Sequence, residues 1–276
     1  MAGLTGEVAT LGRSRAATEA EVAHYAEHGW VKLDALIDAE TVATLLALAK
    51  VKLGQDADGN PVKPNIPVGF LNSEWVMGIR DPAFADLIAS LGHCAKQLLG
   101  RGVGVRYMAD SVVAKLPAGR AARHNASERT ELHQDLPTWP LDRTGGMTLW
   151  LALADADEEN GTMQFLSGSH RMGPLAGLVT HLGRDLTELY PRLAEQCPSS
   201  GHLRYKAGDA TVHSDLCAHG TKLNLSDDPR WAYIITMVPE DACWTGGPSN
   251  QFATDGLTPY QPLPDSRFPV ISGVDR

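Results

Sequence analysis

Apolar positions repeat at helical spacing early in the chain and at strand spacing beyond residue 100. Thr18-Glu19-Ala20-Glu21 reads as a capping box, with Val22, Tyr25 and Ala26 on one face and Gly29 as the stop. This predicts a helix of about ten residues after Thr18. A short strand is expected over 30–33, and Asp38 caps a second helix carrying Val42, Leu45, Leu46 and Ala49 on one side. Residues 54–78 are rich in Gly, Pro, Asn and Asp, which favours turns and leaves a lid or a surface loop as readings. A third helical pattern covers 81–99. The pattern then changes to β over 103–116, 148–154, 163–166, 210–213 and 231–238. Short strands between turn signals, preceded by helices, predict an all-β barrel or sandwich with an α-helical flank.

Composition narrows this only a little. The 276 residues suffice for one large β domain. We read a single domain over 1–276, with a helical flank at 1–100, the β core at 101–240 and a C-terminal extension at 241–276. A net charge of -9 argues against nucleic acid or an anionic membrane as partner, because both reward a basic surface. The four cysteines, Cys94, Cys197, Cys217 and Cys243, form no CxxC pair, which disfavours a zinc knuckle or disulfide framework. No segment has the apolar length of a signal peptide or membrane span, so a cytoplasmic protein is expected. The sequence sets no oligomeric state.

The polar residues carry the chemistry. His133-Gln134-Asp135 places an imidazole and a carboxylate two apart, on one face of an extended segment, and His219 adds a second imidazole from far along the chain. This is the ligand set of non-haem iron(II) sites, which leaves coordination positions for a bidentate acid and O₂. With ten histidines in the chain, a bare His-x-Asp arises by chance about once. His213-Ser214-Asp215 is a rival. With His219 it would crowd three ligands onto one strand and turn, so His213 reads better as a packed or solvent-facing strand residue. Arg230 follows His219 by eleven residues and suggests a grip on a second carboxylate, that of a cosubstrate.

Further motifs occur in a fixed order. They are Glu27-His28-Gly29-Trp30-Val31 before the Asp38 helix, Val113-Ala114-Lys115-Leu116-Pro117, Leu132-His133-Gln134-Asp135-Leu136 and Thr148-Leu149-Trp150-Leu151. Then come Glu159-Asn160-Gly161-Thr162, Ser167-Gly168-Ser169-His170, Gly208-Asp209, and His219-Gly220-Thr221 with Asn224 and Arg230. In this order the chain resembles the phytanoyl-CoA dioxygenase family of Fe(II)/2-oxoglutarate oxygenases over most of its length. The resemblance implies a double-stranded β-helix (jelly-roll, cupin-like) core, mainly β with flanking helices. It implies Fe(II) held by His133, Asp135 and His219, with 2-oxoglutarate and O₂ as cosubstrates. Arg230 would pair with the distal carboxylate of 2-oxoglutarate, assisted by Thr221. Trp150 is expected near the cosubstrate, or as a core aromatic. Lys115 has a weaker claim, because a lysine at a strand end is usually solvated. Gly161 and Gly168 read as turn formers.

Related iron halogenases resemble this pattern but carry a small residue in place of the carboxylate, and Asp135 argues against that outcome. The expected reaction decarboxylates 2-oxoglutarate to succinate and CO₂ while hydrogen is taken from a C–H bond of a small organic substrate. Hydroxylation in secondary metabolism is the default, with epimerisation, cyclisation or desaturation as other fates. An acyl-CoA or carboxylic acid 2-hydroxylase is one alternative. A metal-binding cupin that is non-catalytic or ignores 2-oxoglutarate is another, and Arg230 discriminates against it. The basic segment 120–129 and the Gly/Pro-rich stretch 244–251 either cover the site or lie in solvent.

Overall fold

The computed structural model describes residues 11–53, 71–74, 82–100, 102–118, 129–175, 184–249 and 252–273. Helix α1 (Glu19–His28) starts where Thr18 Oγ1 accepts the Glu21 amide while the Glu21 carboxylate accepts the Thr18 amide. It ends at Gly29, whose left-handed backbone lets its amide reach Tyr25 O at 2.8 Å. Strand β1 (Trp30–Leu33) follows. Asp38 Oδ1 then accepts the Thr41 amide at 2.7 Å at the head of α2 (Ala39–Leu53). Helix α3 (Ala85–Leu99) buries Leu87, Ile88, Leu91, Cys94, Ala95 and Leu98.

Among the described residues, ten strands build two antiparallel sheets. The larger runs in the order β1, β7 (Ala210–Ser214), β5 (Met147–Ala152), β9 (Arg230–Pro239), β3 (Val105–Lys115), β10 (Val270–Ser272), and β2 (Leu71–Glu74) also pairs with β3. The smaller holds β4 (Thr130–His133), β8 (His219–Thr221) and β6 (Met163–Phe165). The outer face of the large sheet, including Leu149, Leu151, Val212, Tyr233 and Ile235, packs in one cluster with buried residues of the three helices. Its inner face carries the alternate residues Thr148, Trp150, Thr211, His213, Arg230 and Ala232 toward the small sheet. This is the expected jelly-roll arrangement, and a polar interior lies between its sheets.

One expectation needs correcting. Strand β2 lies inside the stretch read as turns, because pairing with residues 111–114 of β3 overrides its neighbours' turn propensity. Most of 54–78, and the basic segment apart from Arg129, lie outside the described residues. Arg129 itself is exposed, 2.7 Å from Glu131. The extended segment expected at His133 is β4, and β8 carries His219. The C-terminal stretch is tied into the fold: Phe252, Leu263 and Phe268 pack on Met108, Trp139 and Val238, and β10 joins the large sheet. Two short helices, α4 (Leu186–Leu189) and α5 (Arg192–Gln196), cross outside the small sheet. No helix among the described residues is long and apolar enough to cross a membrane.

Candidate metal centre

His133 ends β4 and stands opposite His219 on β8, so sheet register brings together two imidazoles far apart in sequence. Their ring centroids are 4.3 Å apart. The strands approach closely because Gly220 has no side chain: a Cβ there would meet Thr130 O at 2.7 Å. Gln134 points away and is buried, donating to Leu216 O at 2.7 Å and accepting the Leu175 amide at 2.7 Å. It pins the backbone between the two site residues. Asp135 is locked by a short 3-10 turn, in which the Thr138 amide and hydroxyl both donate to its carbonyl.

The ligand atoms of His133, Asp135 and His219 lie within 4.8 Å of one another. His133 Nδ1 sits 2.8 Å from Glu131 O, and His219 Nδ1 sits 2.9 Å from Cys217 O. A carbonyl only accepts, so each Nδ1 carries a proton, and in the neutral ring Nε2 is the atom left to bind a metal. Asp135 Oδ1 is 3.6 Å from His133 Nε2 and 3.8 Å from His219 Nε2. Two neutral imidazoles and one carboxylate, each already oriented, are donors suited to a divalent iron ion.

Electrostatics point the same way. Burial works to raise the Asp135 carboxyl, but the neighbouring imidazoles of His219, His133 and His213 outweigh it and hold it well below the usual range. Burial, and then the neighbouring imidazoles of His213 and His133, push His219 well below an ordinary histidine. Burial works to lower His133 as well, but its contact with Asp135 and the Glu131 carbonyl outweigh it and raise it above an ordinary histidine. At neutral pH the ionised carboxylate therefore lies between a raised His133 and a neutral His219.

A second polar cluster lies along the inner face of the large sheet. Arg230 opens β9 at 2% exposure, with its guanidinium 5.2 Å over the Trp150 ring and Nη1 donating to Gly161 O. Its Nε has no hydrogen-bond partner, and among the described residues no carboxylate lies within ion-pair range. Burial draws it down to about 10. A buried guanidinium without an anion is costly, and a carboxylate ligand meets that need. Trp150 also packs 4.9 Å from Tyr205, so it serves both as core aromatic and as the floor under Arg230.

Lys115 is not solvated as expected. It is 1% exposed, across the β3–β9 register from Arg230, and donates to Thr221 Oγ1 at 2.6 Å and to Lys222 O. Burial, with a smaller contribution from Arg230, brings it down to about 6, which lets two basic groups share this corner. Asn224 is fully buried and donates to Lys115 O and Asp228 O, shaping the loop that returns the chain to Arg230.

The rival motif divides. Asp215 turns away and accepts the Gly145 and Gly146 amides, each at 3.0 Å. His213 points into the cup, 1% exposed, with Nε2 3.3 Å from Asp135 Oδ2. Sequence reasoning also passed over Thr148, whose hydroxyl donates to Asp135 Oδ2 at 2.8 Å. Its period-two spacing from Trp150 was the available signal.

Two facing antiparallel sheets enclosing a His-x-Asp…His group that could hold a metal ion, with a buried arginine that no carboxylate among the described residues pairs, define a double-stranded β-helix protein. The chain belongs to the phytanoyl-CoA dioxygenase (PhyH) family, whose model matches residues 25–232, a family of Fe(II)/2-oxoglutarate-dependent oxygenases. It is 34% identical over 146 residues to phytanoyl-CoA dioxygenase 1 of Oryza sativa subsp. japonica, covering 48% of this chain and 45% of that protein. It is 30% identical over 145 residues to phytanoyl-CoA dioxygenase domain-containing protein 1 of Danio rerio, covering 48% and 46%. The match thus spans about half the length of these curated relatives. Among solved structures, the non-heme alpha ketoglutarate dependent carbocyclase SnoK from nogalamycin biosynthesis superposes with a TM-score of 0.72 at 23% identity, over 92% of this chain and 96% of that one. The epimerase SnoN, solved with Fe3+, alpha ketoglutarate and nogalamycin RO, gives 0.70 at 24% identity, over 92% and 98%. EctD from S. alaskensis, solved with 2-oxoglutarate and 5-hydroxyectoine, gives 0.67 at 19% identity, over 94% and 90%. These likenesses establish the fold.

Proposed function

We propose that the protein is an Fe(II)/2-oxoglutarate-dependent dioxygenase that attacks a C–H bond of a small organic molecule, hydroxylating it in secondary metabolism. In this reading His133, Asp135 and His219 hold the iron through the two Nε2 lone pairs and Oδ1. Arg230 receives the distal carboxylate of 2-oxoglutarate, with Thr221 and Lys115 beside it and Trp150 beneath it. The observation that carries the reading is Arg230: a buried guanidinium with no carboxylate partner among the described residues, on the inner face that also bears Asp135's partner Thr148. The two positions are joined through β5, where Thr148 and Trp150 lie two residues, about 7 Å, apart. A dicarboxylate reaching from the histidine cup to Arg230 satisfies both ends. Bound iron supplies the activation of O₂ that couples cosubstrate decarboxylation to C–H attack.

The protein's own residues orient and insulate. Arg230 fixes one end of the acid, Trp150 and Tyr205 exclude water beneath it, and Thr148 steadies Asp135. The carbocyclase and epimerase among the structural neighbours make cyclisation and epimerisation alternatives to hydroxylation. The rice relative's name favours a second reading, acyl-CoA or carboxylic acid 2-hydroxylation. The test incubates purified protein with Fe(II), 2-oxoglutarate and O₂, with and without panels of cyclic metabolites and acyl-CoA thioesters, and measures succinate. Fe(II)-dependent succinate that rises with one substrate class is expected. No succinate under any condition, with no binding of 2-oxoglutarate by calorimetry, overturns the proposal.

A further inference from the structure

The two oxygens of Asp135 face different surroundings. Oδ1 looks into the cup, 3.6 Å from His133 Nε2 and 3.8 Å from His219 Nε2. Oδ2 looks back to the large sheet, 2.8 Å from Thr148 Oγ1 and 3.3 Å from His213 Nε2. Thr148 and His213 are register partners across β5 and β7, so the sheet itself presents both groups to the same oxygen. His213 is fully enclosed, its ring 4.0 Å from that of His219 and 5.5 Å from that of Phe165. Neither ring nitrogen has a well-aligned hydrogen-bond partner among the described residues. An imidazole this buried, with its Nε2 3.3 Å from a carboxylate oxygen, lacks only a small reorientation to donate to it.

We propose that His213 is a positioning residue of the metal centre: its Nε2–H and the Thr148 hydroxyl together hold Asp135 Oδ2, which leaves Oδ1 as the single ligand oxygen. The inference rests on the reading that His133, Asp135 and His219 hold a metal ion. Outer hydrogen bonds of this kind fix the rotamer of a ligating carboxylate and keep it from turning to bind through both oxygens. The register explains why the donor comes from β7: Trp30 on β1 occupies its other flank, and Phe165 stacks on Trp30 at 5.1 Å, so a longer side chain has no room to swing away. A purely packing role predicts instead that any ring of similar size will serve.

The experiment measures Co(II) affinity and the Co(II) absorption spectrum of the full chain without cosubstrate, for wild type and three variants. His213→Phe keeps the ring and removes the donor. His213→Gln places an amide N–H near the position of Nε2, and His213→Asn places it too far back to reach. Near-UV circular dichroism reports folding. Co(II) affinity is expected to fall roughly 10–100-fold in His213→Phe and His213→Asn, with a changed spectrum, and to be largely restored in His213→Gln. Wild-type affinity and spectrum in folded His213→Phe overturn the proposal. So does equal behaviour of the Gln and Asn variants, a comparison that stands even where the Phe variant does not fold. A wild-type protein that binds no Co(II) defeats instead the underlying reading of the three ligands.

Discussion

Replacing Arg230 by methionine should weaken 2-oxoglutarate binding while leaving the cosubstrate-free protein as stable as before, or more so. The guanidinium is 2% exposed, its Nε is unpartnered, and no carboxylate among the described residues answers it. A hydrogen bond to a charged group contributes about 1.5–3 kcal/mol. Removing one partner of a buried charged pair costs about 2–5 kcal/mol. Taking about 3 kcal/mol, the dissociation constant should rise roughly 100-fold. In the free protein the balance reverses, because a desolvated cation that costs several kcal/mol is held only by Gly161 O and the Trp150 face. Methionine fills similar space without that cost, so the melting temperature should hold or rise by a few degrees. The assay is calorimetric titration of 2-oxoglutarate into Mn(II)-loaded protein, paired with thermal melts. 2-Oxobutyrate, which lacks the distal carboxylate, should bind both forms alike. Unchanged 2-oxoglutarate affinity together with a lowered melting temperature would show that Arg230 is structural and refute the reasoning.

Gly220→Ala should separate β4 from β8, since its Cβ would lie 2.7 Å from Thr130 O and 3.1 Å from Leu132 N. Strain of about 1–3 kcal/mol, expressed as lost His133–His219 alignment, should lower Co(II) affinity by roughly tenfold or more, read by competitive titration. Lys115 titrates at about 6 in the folded protein, against about 10.4 in an unfolded chain, so between these values the unfolded state binds more protons. Its contribution to stability therefore rises with pH across that window, by about 1.4 kcal/mol per unit, and its penalty is complete below about 6. Urea unfolding at pH 7 and pH 9 should show a steeper gain in the cosubstrate-free wild type than in Lys115→Met. Thr18→Ala removes the acceptor at the head of α1 and should cost about 1 kcal/mol, measured by the same unfolding curves.

The elements legible in the sequence were those with local causes. Thr18, Glu21 and Gly29 bound α1 through contacts within a few residues, and the buried strands of the large sheet declare themselves by continuous apolar runs. The bounds of β4 and β8 were hidden because these strands are short and carry the polar site residues, so no alternation survives in Thr-Glu-Leu-His or His-Gly-Thr. The environment of Lys115 depends on Thr221 and Lys222, brought there by pairing over long range. No propensity of a strand-end lysine anticipates that. The two His-x-Asp motifs separate for the same reason. Asp215 is taken by the 145–146 turn, while His213 reaches Asp135 only because β7 lies beside β5. The ligand triad and Arg230 were readable as residue types in order, whereas the partners that orient Asp135 required the fold.

One inner face should hold both a metal ion and a dicarboxylate, and anomalous diffraction from crystals grown anaerobically with Mn(II) and 2-oxoglutarate shows whether it does. One ion is expected on His133 Nε2, Asp135 Oδ1 and His219 Nε2, with the cosubstrate's keto-acid end on the ion and its far carboxylate on Arg230. An ion bound elsewhere, or a cosubstrate whose far carboxylate leaves Arg230 unpaired, would contradict it.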